Sequence, residues 1–257
     1  MQILLPPSEG KAHPARGAAL DLASLAFPEL TPAREAALDA LITLSAGDED
    51  AALATLGLSG GQRDEVRRNT LLRTAPATTA AKLYTGVLYD ALDLATLPPA
   101  AKRRATAQIL IFSGLFGVSR LGDRLPAYRC GMNVKLSPLG VMSGHWRRAL
   151  PEIMSGLGGP VLDLRSSSYA AAWRPSGDQT TNVATVRVLH ERVIGGEITR
   201  SVVSHFNKAT KGRVVRDLLL SGAAPRSVPA LVTALRDLKY MVEEPAPGAL
   251  DVVVREL

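Results

Sequence analysis

A single cysteine, Cys130, stands in this chain of 257 residues. No intrachain disulfide can form, which fits a reducing compartment, and a lone cysteine reads as a small buried apolar residue. No apolar run approaches the ~20 residues of a membrane helix. The apolar run before Pro6-Pro7 is too short for a signal-peptide core. A cytoplasmic protein with no membrane partner is expected. Aromatic residues make up 4% of the chain, which argues against a stacking platform for single-stranded nucleic acid. The four histidines and the cysteine show no metal-ligand spacing, so neither a metal nor another cofactor is expected. The G-x-S-x-G elbow and the G-x-G-x-x-G fingerprint are also missing. Gly10-Lys11 is followed by Ala12 and lacks the glycine five residues earlier, so it is not a P-loop.

What is present is a globular composition, 46% apolar and 21% charged, with 30 Lys and Arg against 24 acids. The resulting +6 favours an anionic partner without choosing among nucleic acid, nucleotide and phosphorylated metabolite. No internal repeat or low-complexity linker divides the chain, so residues 1–257 read as one domain.

Short apolar strands that open into polar loops carry the functional signal. Gln108–Phe112 is a buried strand ending at Ser113-Gly114, and Gly117, Arg120, Asp123, Arg124 and Arg129 follow within a glycine-rich stretch. Such a loop is how α/β proteins place polar groups at the carboxyl edge of a sheet. Gln2–Leu5 runs likewise into Ser8, Glu9 and Lys11. Pro160–Leu164 ends in Arg165, Ser166 and Tyr169.

Between the first and second of these strands the spacing predicts helices from Thr31-Pro32 to Gly47, over Asp48–Leu56, and after a capping box at Ser59 and Gln62. That last helix carries Arg63, Arg67, Arg68 and Arg73 on a basic face, expected to be solvated. A helix over Thr79–Leu92 contains Gly86, which costs ~1 kcal/mol there and needs a packing or backbone reason. Tyr84 and Tyr89 on it read as packing groups with satisfied hydroxyls. Later, Val183–Val193 and Glu197–Phe206 flank Gly195-Gly196 as a hairpin. The second strand delivers His205 to Arg213, where Lys208 and Lys211 share one helix face near its amino end. Two lysines there make an anion site.

At these motifs the chain resembles the YaaA family of bacterial peroxide-stress proteins. The matching pieces are LLPPSEGK (Leu4–Lys11), YTGVLYDAL (Tyr84–Leu92), SGLFGVSRLGDRLPAYRCGM (Ser113–Met132), DLRSSSY (Asp163–Tyr169) and HFNKATKGRVVR (His205–Arg216). They run in family order over nearly the whole chain. The sequence departs from the family pattern at Gly131 and Ser168, where an acid is common, and near Ala91, where a glycine is. The resemblance implies a single mixed α/β domain of unusual topology. A central mixed sheet is flanked by helices and carries a basic cleft at the strand ends. It also implies DNA binding and protection during hydrogen peroxide stress. The pair of helices around Ser59–Arg73 and Thr79–Leu92 is the best candidate for the family's helix-hairpin-helix element.

Two functions stay open at this point. In the first, Lys11, Arg120, Arg129, Lys208 and Lys211 contact about five phosphates of DNA with little base reading, and Ser8, Ser113, Ser166 and Arg213 complete the anion site. In the second, an enzyme acts on a small anionic, nucleotide-like substrate, with Glu9 and Lys11 as acid/base candidates, because a DNA backbone does not require Ser8, Glu9, Ser113, Ser166 and Tyr169 to be gathered together. A structural ion-pair network, Asp123 with Arg120 or Arg124 and Glu9 with Lys11, is the third reading.

Overall fold

The structure is a computed structural model that describes residues 1–194 and 197–255. In chain order it contains β1 (Gln2–Leu5), α1 (Thr31–Ala46), α2 (Glu49–Leu56), α3 (Arg63–Thr70), β2 (Thr78–Thr79), α4 (Ala80–Leu83), α5 (Val87–Leu92) and α6 (Pro99–Gln108). There follow β3 (Ile109–Ser113), β4 (Gly117–Arg120), β5 (Arg124–Leu125), β6 (Lys135–Leu136), β7 (Gly140–Val141), α7 (Met142–Ser155), β8 (Val161–Asp163) and α8 (Ser167–Ala170). The chain closes with β9 (Val183–Ile194), β10 (Glu197–Ser201), α9 (Ser204–Ser221), α10 (Val228–Asp237), β11 (Met241–Ala246) and β12 (Ala249–Arg255).

A mixed sheet runs in the order β11-β12-β9-β8-β1-β3-β4, with β10 added on β9. Its middle is parallel: β12 on β9, β9 on β8, β8 on β1 and β1 on β3. The edges β4 and β11 run antiparallel. Strands buried on both faces need unbroken apolar runs, and Ile3–Leu5 and Ile109–Phe112 supply them, all fully buried. Ranked by sequence, the five parallel strands lie in the order 2-1-3-4-5, a common doubly wound order. The unusual part is the excursion between β1 and β3: residues 6–108 hold α1 to α6 where one crossover helix would suffice. In a sheet of this order the chain reverses direction beside its first strand, here between β1 and β8, and a crevice opens there at the carboxyl ends.

Several sequence expectations are corrected. One helix ends at Leu83 with Tyr84 as its cap, and Gly86 caps the start of the next: its φ is +94°, and a Cβ there would lie 3.1 Å from the Ser8 hydroxyl. The predicted Thr79–Leu92 helix is therefore split into α4 and α5 by a backbone conformation that L side chains resist. The stretch after Ser113 is a hairpin and not an open loop. Gly117 has φ +68° with the Trp146 ring against its α-carbon, and β4 turns back along β3 until Arg120 pairs with Leu110. The predicted strand Glu197–Phe206 ends at Ser201, and α9 begins at Ser204. The turn at Gly195-Gly196 lies outside the described residues.

Candidate functional site

The crevice between β1 and β8 is a pocket of about 640 Å³. The segment after β1 contributes Ser8 and Glu9, and the segment after β8 contributes Ser166, Ser168 and Tyr169. The start of α5 forms one side with Val87, Leu88 and Tyr89, and α9 the other with Asn207, Lys208 and Lys211. The last wall arises from strand lengths. β8 pairs only with Val183–Thr185 of β9, β10 pairs with His190–Ile194 on the same edge, and β12 takes the opposite edge. β10 therefore stands beyond the end of β8, above the crevice, and Val202 leads down from it into α9 and lines the pocket.

Two helices meet across this wall because one position lacks a side chain. A Cβ on Gly212 of α9 would lie 2.2 Å from the Leu88 carbonyl oxygen and 2.9 Å from the Ala91 Cβ. The close approach of the two helices rests on Gly212.

Lys211 is nearly buried, and its Nζ donates to the Leu164 carbonyl at 3.0 Å. Burial pulls its pKa down to about 8, opposed by the Asp163 carboxylate. Asp163 is itself held by Arg165 through a buried two-point contact, Nε to Oδ1 at 2.9 Å and NH2 to Oδ2 at 2.7 Å. Lys208, one turn earlier, is exposed, and among the described residues it has no carboxylate partner. Glu9 is the carboxylate at the pocket wall. It forms an ion pair with Arg129 at 3.0 Å and accepts from the Tyr169 hydroxyl at 3.4 Å, and Arg129 also donates to the Glu9 backbone carbonyl at 3.2 Å. Tyr169 has its pKa raised by burial, with Glu9 adding to the effect, so its hydroxyl keeps its proton. Asn69, fully buried, fixes Arg129 by exchanging two hydrogen bonds of 2.9 Å with its backbone.

Lys11 lies just behind this wall and does not line the pocket. It is half-buried; its Nζ donates to the Ser8 carbonyl at 2.9 Å and sits 4.3 Å from the centre of the Tyr128 ring. Desolvation lowers its pKa to about 8, with Glu9 acting in the opposite direction. Ser113 is buried beneath it, accepting from the Phe116 N–H at 3.0 Å, with its hydroxyl against the phenols of Tyr84 and Tyr128.

The structure thus brings Ser8, Glu9, Ser166, Lys208 and Lys211 to one pocket, with Arg129 joined through Glu9 and Lys11 and Ser113 one layer behind. It does not bring Arg120 or Arg213 there. Arg120 follows the β4 hairpin to the amino end of β3, where it donates to the Ala107 carbonyl and covers the Phe27 ring. Arg213 is exposed on α9, on the side of Tyr240. The ion pairs also differ from expectation. Glu9 pairs with Arg129 instead of Lys11, and Asp123 accepts from the backbone N–H groups of Ala26 and Arg120. In the helix-hairpin-helix candidate, Arg63, Arg67, Arg68 and Arg73 each lie against an acid of α1, α2 or α3, so the basic face is neutralised and not merely solvated.

Tyr89 donates to the Pro6 carbonyl at 2.7 Å, and the Tyr84 and Tyr128 hydroxyls meet at 2.9 Å, so the tyrosines are satisfied packing groups as read. Asp163, Asn207 and Gly212 were missed as site residues although they lie within DLRSSSY and HFNKATKGRVVR, and Asn69 was missed because it lies in none of the matching pieces. Cys130 is buried, and burial raises its thiol pKa to about 12. Its alkylation by a neutral maleimide at pH 7.5 should be at least ~10²-fold slower in the folded protein than after unfolding in urea. Comparable rates would mean that the thiol is exposed. Among the described residues no group of three or more His, Cys, Asp and Glu could hold a metal ion, and no helix is long and apolar enough to cross a membrane.

A family model described as peroxide stress protein YaaA matches residues 1–245. A UPF0246 protein of Streptomyces coelicolor is 56% identical over the whole of both chains. Another of Corynebacterium efficiens is 43% identical over 86% of each. A protein of Campylobacter jejuni is 30% identical over 89% of this chain and 86% of its own. The match takes in β1 with its Pro-Pro-Ser-Glu-Gly-Lys turn, the β3–β4 hairpin, the end of β8 and α9, all the segments that build the crevice. The chain belongs to the YaaA family of peroxide stress proteins, which relates its role to peroxide stress.

Proposed function

We propose that the chain serves in the peroxide-stress response as a DNA-binding protein whose crevice between β1 and β8 receives the phosphate backbone with little base reading. The observation that carries this reading is Lys208: an exposed cation on the pocket wall, without a carboxylate partner among the described residues, next to Lys211 and across from Arg129. Contacts to phosphate position a duplex and carry no sequence information. With Arg120 and Arg213 elsewhere, about three phosphates are within the reach of Lys208, Lys211 and Arg129, so log affinity should fall against log salt with a slope near −3. Lys208→Ala should weaken binding to all duplex sequences alike and reduce that slope by about 1. A salt-independent affinity, or a Lys208→Ala protein with unchanged slope, would count against the reading.

A second reading is favoured by the pocket itself. Its volume of about 640 Å³ is that of a small-molecule site, and Tyr169 and Glu9 line it where a backbone phosphate needs neither. On this reading a small anionic, nucleotide-like ligand enters the crevice. Glu9, held between Arg129 and Tyr169, is then the acid/base candidate. Saturable binding of mononucleotides that competes with duplex DNA would select it.

A further inference from the structure

We propose that Lys211 is a carbonyl-capturing amine: it condenses with the aldehyde of a phosphorylated sugar held in the crevice, either a free sugar phosphate or the ring-opened deoxyribose of an abasic site in DNA. The inference shares the crevice with the DNA reading and does not depend on it.

An amine condenses with a carbonyl only as its neutral form, and only where the carbonyl can reach it. Lysines are scarce in this chain: Lys11, Lys82, Lys102, Lys135, Lys208, Lys211 and Lys239. Lys82, Lys102, Lys135, Lys208 and Lys239 are exposed. Lys11 and Lys211 are drawn out of water, both with pKa values near 8. The amine of Lys11 is spent on the Ser8 carbonyl and covered by the Tyr128 ring, and this residue does not line the pocket. Lys211 does line it, with its Nζ tethered to a single acceptor, the Leu164 carbonyl.

The groups facing Lys211 suit the reaction. Asp163 of β8 is committed to Arg165, so it cannot take up the ammonium as a full ion pair. Lys208, on the same face of α9, can hold the phosphate. Asn207 lines the pocket and has an amide oxygen with no protein partner, an acceptor for a sugar hydroxyl. Glu9 and the protonated Tyr169 line it as well and can move protons. The Lys211 nitrogen adds to the aldehyde carbon and a proton passes from nitrogen to oxygen, giving a carbinolamine. The C–O bond then breaks, its oxygen leaves as water after a second protonation, and a C=N bond to Nζ remains. No oxidant or reductant is consumed.

The test is reductive trapping. The intact protein is incubated at pH 7.5 with sodium cyanoborohydride and either 2-deoxyribose 5-phosphate or a duplex bearing one abasic site, and adducts are mapped by peptide mass spectrometry. The expected result is labelling of Lys211 at least about tenfold above each of Lys82, Lys102, Lys135 and Lys239, with Lys11 unlabelled. The Lys211 rate should rise with pH and level off near pH 8–9. Lys211→Arg keeps the cation and should abolish the adduct. Because that variant could perturb the fold, the wild-type map and its pH profile serve as the independent measurement. Labelling spread evenly over the exposed lysines, or concentrated on Lys11, overturns the proposal. An adduct with the free sugar phosphate alone assigns a metabolite, and one with the duplex alone assigns DNA. If intact duplex binds with the expected salt slope but neither probe is trapped, this proposal fails and the DNA reading stands. If the free sugar phosphate is trapped and intact duplex does not bind, the reverse holds.

Discussion

Replacing Asp163 by alanine should destabilise the protein by about 3–5 kcal/mol, the usual cost of leaving a buried charge without its partner. The Arg165 side chain is 1% exposed. Its guanidinium is locked in place: two contacts to Asp163, one to the Trp173 carbonyl at 3.0 Å, and a ring beneath it, Phe112, at 4.2 Å. None of these neighbours can supply a negative charge once the carboxylate is gone, and water cannot reach the site. The urea midpoint should drop accordingly, with an unchanged slope. The pair itself is not a large source of stability, because taking both charges out of water costs about as much as their attraction returns. Asp163→Leu combined with Arg165→Met should therefore recover most of the loss. A single variant within ~1 kcal/mol of wild type would show that the guanidinium finds another route to solvent. The same change should disturb the crevice, since Ser166, Ser168 and Tyr169 follow Arg165 directly and depend on its anchorage.

Gly212→Ala should cost at least about 3 kcal/mol. An added methyl would stand 2.2 Å from the Leu88 carbonyl oxygen, which belongs to the backbone of α5 and cannot swing aside. The helices must part, and they are the two side walls of the pocket. Melting temperature and anion binding should fall together. Gly60→Ala is the control, since nothing lies within 4 Å of its would-be Cβ, and it should change stability by no more than ~0.5 kcal/mol. An alanine at 212 that leaves the melting temperature unchanged would mean that α5 and α9 are not held at the distance described.

Which features were legible from the sequence follows from the range of the forces involved. β1, β3 and β8 were read because a strand buried on both faces announces itself as an apolar run. Capping at Ser59 and Gln62 was legible because it is settled within four residues. The gathering of Ser8 and Ser166 followed from the rule that polar groups after parallel strands share one edge, whereas Lys211 arrives on α9 from the antiparallel strand β10. The course of the arginine stretch did not follow. Whether Arg120 stays at that edge depends on Gly117 meeting the Trp146 ring, a contact between residues far apart in sequence. Asn69 clamping Arg129, Arg63 finding Glu49, and Gly212 touching α5 are likewise long-range choices that no local period encodes. The four tyrosines 84, 89, 128 and 169 gather around the crevice although the aromatic total is low, so composition alone hid their concentration.

The excursion of residues 6–108 has a consequence during synthesis. β1 leaves the ribosome before both of its neighbours in the sheet, Ile109–Ile111 on one side and Val161–Asp163 on the other. Until Ile109–Ile111 have been made this strand has no partner, and until Val161–Asp163 have been made it has only one, while α1 to α3 can already nest together. The nascent protein must therefore keep an apolar end waiting, and closure of the centre of the sheet, with the crevice it creates, is among the late events of its birth.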